Sequence, residues 1–289
     1  MQIEPSELIL NADNSIYHLN LLPEDIAETI ITVGDPDRVS DVSKHFDTIE
    51  LKKGKREFHT HTGTFKGKRL TVISTGIGTD NIDIVLNELD ALANIDFDHR
   101  TIKAQKTSLD IIRIGTSGAI QPEIPIDSFL MSQYAMGFDG LLHFYESQHV
   151  QHREFSESFM THANWASQKS VPYVVDYDRN LGDKLFSNRI RLGVTVTNIG
   201  FYGPQGRVLR IPVDNNDLKE KLRSFSYKNY KITNLEMETS GIYGLSKLLG
   251  HRAVSMNCIL ANRATGEFSK NPATSVDELI QYTLNQLCS

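Results

Sequence analysis

The sequence predicts an α/β protein in which helices pack on a buried sheet. Short runs rich in β-branched residues stand between segments whose apolar residues recur at helical spacing, and this alternation is typical of the class. No stretch rich in Pro, Gly or Ser divides the 289 residues, so we expect a single domain, 1–289. A chain of this length buries roughly three quarters of its unfolded surface, which is enough for a large core.

Six runs predict the strands of that sheet. Each is apolar or β-branched through most of its length, as expected of a buried strand. They are Thr29–Val33, Leu70–Ile73, Asp110–Ile114, Ser128–Met131, Leu192–Thr197 and Ala253–Leu260.

Three segments predict helices, and one predicts a loop. Residues 81–93 carry an apolar stripe at helical spacing, and a second helix over 238–249 ends at Gly250. The last helix is expected to begin with a capping box formed by Ser275 and Glu278. Residues 96–106 are polar and without period, so we expect an exposed loop there.

Charge and cysteine content exclude several functions. Thirty Lys and Arg against 36 Asp and Glu give a net charge of -6, which offers no general field for nucleic acid or anionic lipid. No apolar run approaches the roughly 20 residues that span a bilayer, and residues 1–10 lack the basic start of a secretory signal. Two cysteines cannot form a disulfide framework, so we expect reduced thiols and a cytoplasmic protein.

The first segment that suggests chemistry runs from Gly34 to Arg38 (GDPDR), directly after the first predicted strand. A glycine lets an anion approach the backbone, and the arginine can meet its charge. The segment therefore predicts a phosphate site, although a plain strand-to-helix turn explains it equally well when it stands alone.

The second segment, Arg113–Ala119, ends the third predicted strand. Because an unpaired buried charge is costly, Arg113 in an otherwise apolar strand needs a charged partner, and Thr116 can add a neutral donor to the same anion. Gly115 and Gly118 lack the G-x-G-x-x-G spacing, which excludes a dinucleotide fingerprint.

The third segment is the loop Phe201–Arg207 (FYGPQGR). An aromatic face can stack on a flat heterocycle, the Gln205 amide can both donate and accept, and Arg207 adds donors for a carbonyl oxygen that becomes negative. An exposed loop with incidental aromatic residues is the alternative.

The fourth segment holds two carboxylates, Glu236 and Glu238, between a strand around Ile232 and the next helix. Two carboxylates at a sheet edge can accept hydrogen bonds from a vicinal diol. A helix N-terminus favours acidic residues because of its dipole, and that explains one glutamate but not two.

Together these segments resemble the nucleoside phosphorylase superfamily and, within it, the uridine phosphorylases. The resemblance runs from about residue 17 to 264 and rests on five phrases in the family's order: GDPDRV, STGIGTDNIDI, IRIGTSGAI, FYGPQGR and NLEMETSGIYG. It implies a central mixed, twisted and partly barrel-like sheet flanked by helices, and the reversible phosphorolysis of uridine to uracil and ribose 1-phosphate in pyrimidine salvage.

The resemblance also implies the roles of individual residues. Phosphate is expected at Gly34, Arg38, Arg113 and Thr116, with Arg56 donated by a neighbouring subunit. Ribose is expected at Glu236, Met237 and Glu238, with His18 of the neighbour at the 5′-hydroxyl, and the base at Phe201, Gln205 and Arg207.

This chemistry implies no protein nucleophile, cofactor or metal. Catalysis is expected from Arg113 and Glu238 at the phosphate and sugar, and from Gln205 and Arg207 at the departing base. His18 is expected to bind the sugar rather than act as a general base, because phosphate is already charged at neutral pH.

Sites that borrow residues imply a homo-oligomer, and residues 96–106 resemble the longer form of dimeric relatives, which favours a dimer. Some relatives hold an interface cation at positions matching Glu57 and Ile77. Here Asn81 stands where a serine is usual, so no metal is predicted.

Other functions remain open at this point. Purine-directed relatives carry an aspartate after a late strand, whereas this chain has Asn262-Arg263-Ala264-Thr265, which favours a pyrimidine. The GIYG run also occurs in purine-directed relatives, so a purine nucleoside phosphorylase or a nucleoside hydrolase of the same fold is the alternative. A nonenzymatic nucleoside-binding protein is a third, disfavoured by the intact phosphate residues. Arg263 and Glu267 could line the pocket or pair with each other.

Overall fold

A computed structural model describes residues 2–214 and 217–289. Its strands are β1 (Thr29–Val33), β2 (Thr48–Lys55), β3 (Phe58–Phe65), β4 (Lys68–Ser74), β5 (Ile95–Asp96), β6 (Thr101–Ile102), β7 (Asp110–Ala119), β8 (Phe129–Gly137), β9 (Tyr173–Asp176), β10 (Ile190–Thr197), β11 (Ser226–Tyr227), β12 (Tyr230–Glu236), β13 (Arg252–Asn262) and β14 (Glu267–Phe268). All six predicted strands are confirmed, and most extend a few residues beyond their predicted ends.

Seven α-helices accompany these strands in the described ranges: α1 (Pro36–Ser43), α2 (Thr79–Asn94), α3 (Arg153–Ala163), α4 (Arg179–Leu185), α5 (Leu218–Ser224), α6 (Thr239–Leu249) and α7 (Pro272–Leu287). The predicted apolar stripe of α2 is buried, with Ile82, Val85 and Leu86 fully covered. Gly250 ends α6 in the left-handed conformation, as predicted.

Twelve strands form one mixed sheet in the order β11-β12-β10-β8-β13-β7-β1-β4-β3-β2, with β9 added to β8 and β14 to β13. A further pairing of β12 with β7 closes five strands, β7, β12, β10, β8 and β13, into a ring. The expectation of a mixed, partly barrel-like sheet is therefore confirmed.

The ring closure decides which residues meet. β12 and β7 run antiparallel, with Leu235 opposite Gly118 and Asn234 opposite Ala119. The Asn234 side chain also donates to the Ser117 hydroxyl at 2.9 Å. This register places the end of β12 beside the C-terminal half of β7, where Glu236 lies 3.3 Å from the Arg113 guanidinium.

Two local predictions need correction. Helix α7 begins at Pro272, after Asn271, so Ser275 lies inside its first turn and does not cap it. Proline is favoured at the first helical position because its φ is already helical. The Ser275 hydroxyl instead donates to the Asp127 carboxylate at 2.6 Å. The segment 96–106 is not a plain loop, because β5 and β6 pair there as a short antiparallel hairpin.

The core lies on both faces of the sheet. All five residues of β1 are buried, and Tyr173, Tyr243, Phe58 and Phe159 are among the largest fully covered side chains. Within the two described ranges, none of the helices combines the length and hydropathy that crossing a bilayer requires.

Both cysteines are free thiols. Cys258 is buried in β13, where loss of solvent raises the pKa of its thiol to about 12. It is therefore protonated at neutral pH and is not a nucleophile.

Candidate active site

The loops that follow β1 and β4 meet beside Gly34. A Cβ on Gly34 would lie 3.6 Å from the carbonyl oxygen of Gly76. Two residues further on, the backbone N–H of Gly78 donates to Oε1 of Glu238 at 3.0 Å. The predicted phosphate turn and the predicted ribose carboxylates therefore adjoin.

Arg113 joins these two groups of residues. Its guanidinium donates to Glu238 at 2.7 Å, lies 3.3 Å from Glu236 and donates to the Asn257 side-chain oxygen at 3.1 Å. Burial lowers the pKa of Arg113, but the negative charges of Glu236 and Glu238 more than offset this, and the pKa is raised overall. The predicted charged partner of Arg113 is thus found within the protein.

The two glutamates differ in their surroundings. Glu236 accepts from the Thr197 hydroxyl at 2.6 Å and from the backbone N–H groups of Glu238 and Thr239 at 2.9 Å, at the start of α6. Burial raises the pKa of Glu238, Arg113 opposes this shift and the charge of Glu236 adds to it, so the pKa is raised overall. Glu236 therefore binds the backbone at the start of α6, while Glu238 accepts from fewer protein donors. Met237, which lies between them, is half-buried.

Arg38 provides a second cation near Arg113. It lies half-buried in α1, and its pKa is lowered by burial and by the positive charge of Arg113. No carboxylate ion pair to Arg38 is present in the described part of the chain. Two arginines that repel each other in this way would be stabilised by an anion placed between them.

Gly115 makes room for the Arg113 guanidinium. A Cβ at position 115 would lie 2.1 Å from Nη1 of Arg113, so a larger residue would displace that side chain. Thr116 follows in the same strand and is half-buried opposite Cys258 of β13.

The three residues predicted to bind the base, Phe201, Gln205 and Arg207, lie on one loop, residues 201–207, which we call the base loop. The Arg207 guanidinium stacks 3.8 Å from the centre of the Phe201 ring, and it donates to the Phe201 carbonyl at 2.6 Å and to the Gln205 side-chain oxygen. Gln205 is buried, whereas Phe201 is half exposed. The loop starts beside the ribose carboxylates, because the N–H of Asn198 donates to the carbonyl of Glu236 at 2.9 Å.

Arg263 supports this loop from behind. It donates to the backbone carbonyl of Gln205 at 2.7 Å, while burial and the charge of Arg207 lower its pKa to about 10. Glu267 instead accepts from the Thr265 hydroxyl at 2.8 Å. Within the described residues, Arg263 and Glu267 therefore do not pair with each other, and Arg263 contacts the backbone of this loop.

His18 and Arg56 each follow a residue that contacts the other's neighbour in the chain. The Lys55 ammonium donates to the Tyr17 carbonyl at 2.5 Å, which holds residues 17–18 against the end of β2. Arg56 occupies the turn between β2 and β3 with a φ of 57°. Within the described ranges, neither His18 nor Arg56 is hydrogen-bonded to the Arg113 group.

Glu57, Ile77 and Asn81 also come together. A Cβ on Gly76 would lie 2.4 Å from Nδ2 of Asn81 and 3.1 Å from Cγ of Glu57. The Asn81 amide donates to the Ile77 carbonyl at 3.4 Å. The Asn81 amide therefore presents hydrogens to the Ile77 carbonyl, one of the oxygens expected to face an interface cation.

Several partners of these residues were not predicted from the sequence. Asn257 and Ser255 contact Arg113, Thr197 contacts Glu236, and Gly78 contacts Glu238. The signal for Asn257 and Ser255 was a polar side chain within the apolar run of β13, since a buried polar group needs a partner.

This fold and its buried cluster, in which Arg113 of β7 meets two carboxylates at the end of β12, define an α/β protein of the nucleoside phosphorylase class. Among solved structures, the chain is similar to a Trypanosoma brucei nucleoside phosphorylase described as showing uridine phosphorylase activity. The TM-score is 0.86 at 27% identity, covering 97% of this chain and 99% of that one. The chain belongs to the phosphorylase superfamily, whose family model matches residues 28–286.

Two relatives illustrate the range within the family. The chain is 30% identical to a uridine phosphorylase of Thermococcus kodakarensis, over 88% of this chain and 80% of the relative. It is 29% identical to a DeoD-type purine nucleoside phosphorylase of Brevibacillus brevis, over 93% and 94%. Overall identity therefore does not separate the two substrate classes.

Proposed function

We propose that this chain is a uridine phosphorylase, a pentosyltransferase that cleaves uridine with phosphate to give uracil and ribose 1-phosphate. The observation that carries the proposal is the base loop, in which Arg207 stacks on Phe201 and holds the Gln205 side-chain oxygen. Since only the amide oxygen can accept from a guanidinium, the NH₂ group of Gln205 is left to donate. The names of the Thermococcus and Trypanosoma proteins support the same substrate.

The edge of uracil fits such a pair. It presents an N–H donor between two carbonyl acceptors, and an amide can donate to a carbonyl and accept from the N–H with its second lone pair. A guanidinium adds donors for the other carbonyl. The purine alternative needs a residue that gives a proton to the leaving base. Arg263 lies in the segment where purine-directed relatives carry an aspartate, but with a pKa of about 10 it keeps its proton near neutral pH.

In the proposed reaction, phosphate binds at Gly34, Arg38, Arg113 and Thr116 and attacks C1′ as the bond to uracil breaks. Fixed geometry of this kind replaces a bimolecular encounter and lowers the barrier. The Glu238 carboxylate accepts hydrogen bonds from the ribose hydroxyls, and Arg113 holds both Glu238 and phosphate. Arg113 therefore ties the position of the nucleophile to that of the sugar.

The leaving uracil carries negative charge on its carbonyl oxygens. Arg207 and Gln205 stabilise that charge in the transition state, as an oxyanion hole does. Removal of solvent, which lowers the pKa of Arg207, also strengthens its attraction to an anion.

We further propose a cytoplasmic homodimer of single-domain chains, acting in pyrimidine salvage. His18 and Arg56 are both donated to the neighbour's site, and the contact between Lys55 and Tyr17, which precede them in the chain, supports this pairing. The free thiols support a reducing compartment.

The test is loss of uridine absorbance with and without phosphate, with inosine run in parallel. We expect cleavage of uridine only when phosphate is present, and at most slow cleavage of inosine. Preferential inosine cleavage would indicate the purine enzyme, phosphate-independent cleavage a hydrolase, and no turnover a binding protein.

A further inference from the structure

One half-buried carboxylate, Glu88, contacts residues 18 and 19 and has no part in the reaction as described so far. Glu88 lies in α2, 70 residues further along the chain, and its side chain is only 13% exposed. It accepts from the backbone N–H of His18 at 3.1 Å and of Leu19 at 2.8 Å, and it contacts Nδ1 of the His18 ring at 2.6 Å. All of these contacts converge on residues 18 and 19.

These contacts fix which ring nitrogen carries the hydrogen. A carboxylate only accepts hydrogen bonds, so Nδ1 of His18 must donate to Glu88. In the neutral ring Nε2 is then an acceptor. No hydrogen bond to Nε2 occurs within residues 2–214 and 217–289, and the His18 side chain is 26% exposed.

The orientation of the ring is fixed as well. Leu19 is fully buried next to His18, and the Tyr17 ring meets the His18 ring edge-on at a centroid distance of 4.7 Å. Lys55 holds the Tyr17 carbonyl from the other side. The Nε2 atom of His18 is therefore held in place as a hydrogen-bond acceptor. Within the described residues, it makes no hydrogen bond to Arg113 or to the carboxylates around it.

We propose that Glu88 is a positioning residue that sets the tautomer and direction of His18, so that Nε2 accepts from the 5′-hydroxyl of a nucleoside bound by a second copy of this chain. The inference rests on the proposed function and adds a specificity. A 5′-deoxynucleoside offers no hydrogen to Nε2. A 5′-phosphate offers an anion next to a carboxylate, so nucleotides are disfavoured.

The test compares uridine with 5′-deoxyuridine in four proteins: the wild type, Glu88→Gln, His18→Ala and the control Asp83→Asn. Glu88→Gln keeps the shape and one backbone acceptor but presents an amide donor that competes for Nδ1. Asp83 is on the same helix and accepts from Tyr145 and Asn87, so its amide variant controls for loss of a hydrogen-bonded carboxylate.

We expect Glu88→Gln and His18→Ala to lower kcat/KM for uridine about tenfold, the size of one well-placed hydrogen bond, and to leave 5′-deoxyuridine within about twofold of the wild type. Asp83→Asn should leave both substrates unchanged. An equal loss on both substrates in Glu88→Gln, or no loss on uridine, would overturn the inference.

A second measurement does not depend on activity. Long-range ¹H–¹⁵N spectra of the imidazole rings, with the His18 signal identified by its absence in His18→Ala, should show the Nδ1–H tautomer in the wild type and a shift toward Nε2–H in Glu88→Gln. An unchanged tautomer in Glu88→Gln overturns this inference alone. A wild type that cleaves neither nucleoside overturns the proposed function, and the specificity with it.

Discussion

The guanidinium of Arg113 donates to the carboxylate of Glu238 at 2.7 Å, and both side chains are buried. Arg113 lies within β7 and Glu238 just beyond β12, so the contact exists because these two strands close the ring. The same pair connects the proposed phosphate position to the proposed ribose position. Its disruption should therefore affect both stability and catalysis.

The first prediction separates the two arginines of the phosphate position. Arg113→Met leaves Glu236 and Glu238 buried without their cation and should lower the free energy of unfolding by about 3–5 kcal/mol. Arg38→Met removes a half-buried arginine without such a partner and should cost less than about 1 kcal/mol. Urea unfolding measures the difference, and both variants should show a raised KM for phosphate. Equal stability losses would contradict the assignment.

The second prediction concerns two glycines of β7. Gly115→Ala places a methyl group 2.1 Å from the present position of Arg113 Nη1, so the guanidinium must move away from Glu238. At Gly118 the nearest atom to an added Cβ is 3.7 Å away, an ordinary contact. We expect uridine turnover to fall at least tenfold in Gly115→Ala, as fixed geometry is lost, and to change little in Gly118→Ala. Similar kinetics in the two variants would show that the guanidinium position does not matter.

The third prediction concerns the leaving base. Arg207→Ala removes a donor to the departing anion and should lower kcat for uridine by about 10²–10³. Arg210 is exposed and lies three residues further along the same segment, so Arg210→Ala is the matched control and should keep near-native turnover. Near-native turnover in Arg207→Ala would remove Arg207 from the site.

The fourth prediction is a pH dependence of stability. Burial raises the pKa of Asp176, but hydrogen bonds from His152 and Lys247 more than offset it and lower the pKa to about 2. Because this folded-state pKa is below the ordinary 3.8, the stabilisation is present above pH about 4 and is lost as the pH falls toward about 2.

Urea midpoints between pH 5 and pH 3 measure this dependence. They should fall less steeply in Asp176→Asn than in the wild type, since the amide does not titrate. Glu157→Gln, at an exposed pair with Arg153, should retain the wild-type slope. Parallel slopes for Asp176→Asn and the wild type would refute the assignment.

Local sequence patterns predicted much of the fold. β1 was predicted with its observed ends because five apolar or β-branched residues are followed by a turn, Gly34-Asp35-Pro36. The pairing of β12 with β7 joins residues more than 100 positions apart, and no local pattern encodes such a register; only the family resemblance implied the ring. The start of α7 was mispredicted because two signals overlap: Ser275 and Glu278 have the spacing of a capping box, whereas Pro272 favours an earlier start.

The candidate site was predictable in its residue types but not in its contacts. An arginine in an apolar strand required an anion, but whether that anion was a ligand or a glutamate depended on the ring closure. Glu88 could not be found from sequence, because a glutamate on an amphipathic helix is most often a solvated residue. Its importance follows from the burial of Leu19 and the contacts around His18.

Phosphorus NMR of the chain mixed with uridine and inorganic phosphate follows the proposed transfer of ribose from uracil to phosphate. We expect a new phosphomonoester signal from ribose 1-phosphate that grows in step with free uracil, and we expect the reaction to reverse when uracil and ribose 1-phosphate are supplied. Uracil released without that signal, or no uracil under conditions in which inosine is cleaved, would contradict the proposed transfer.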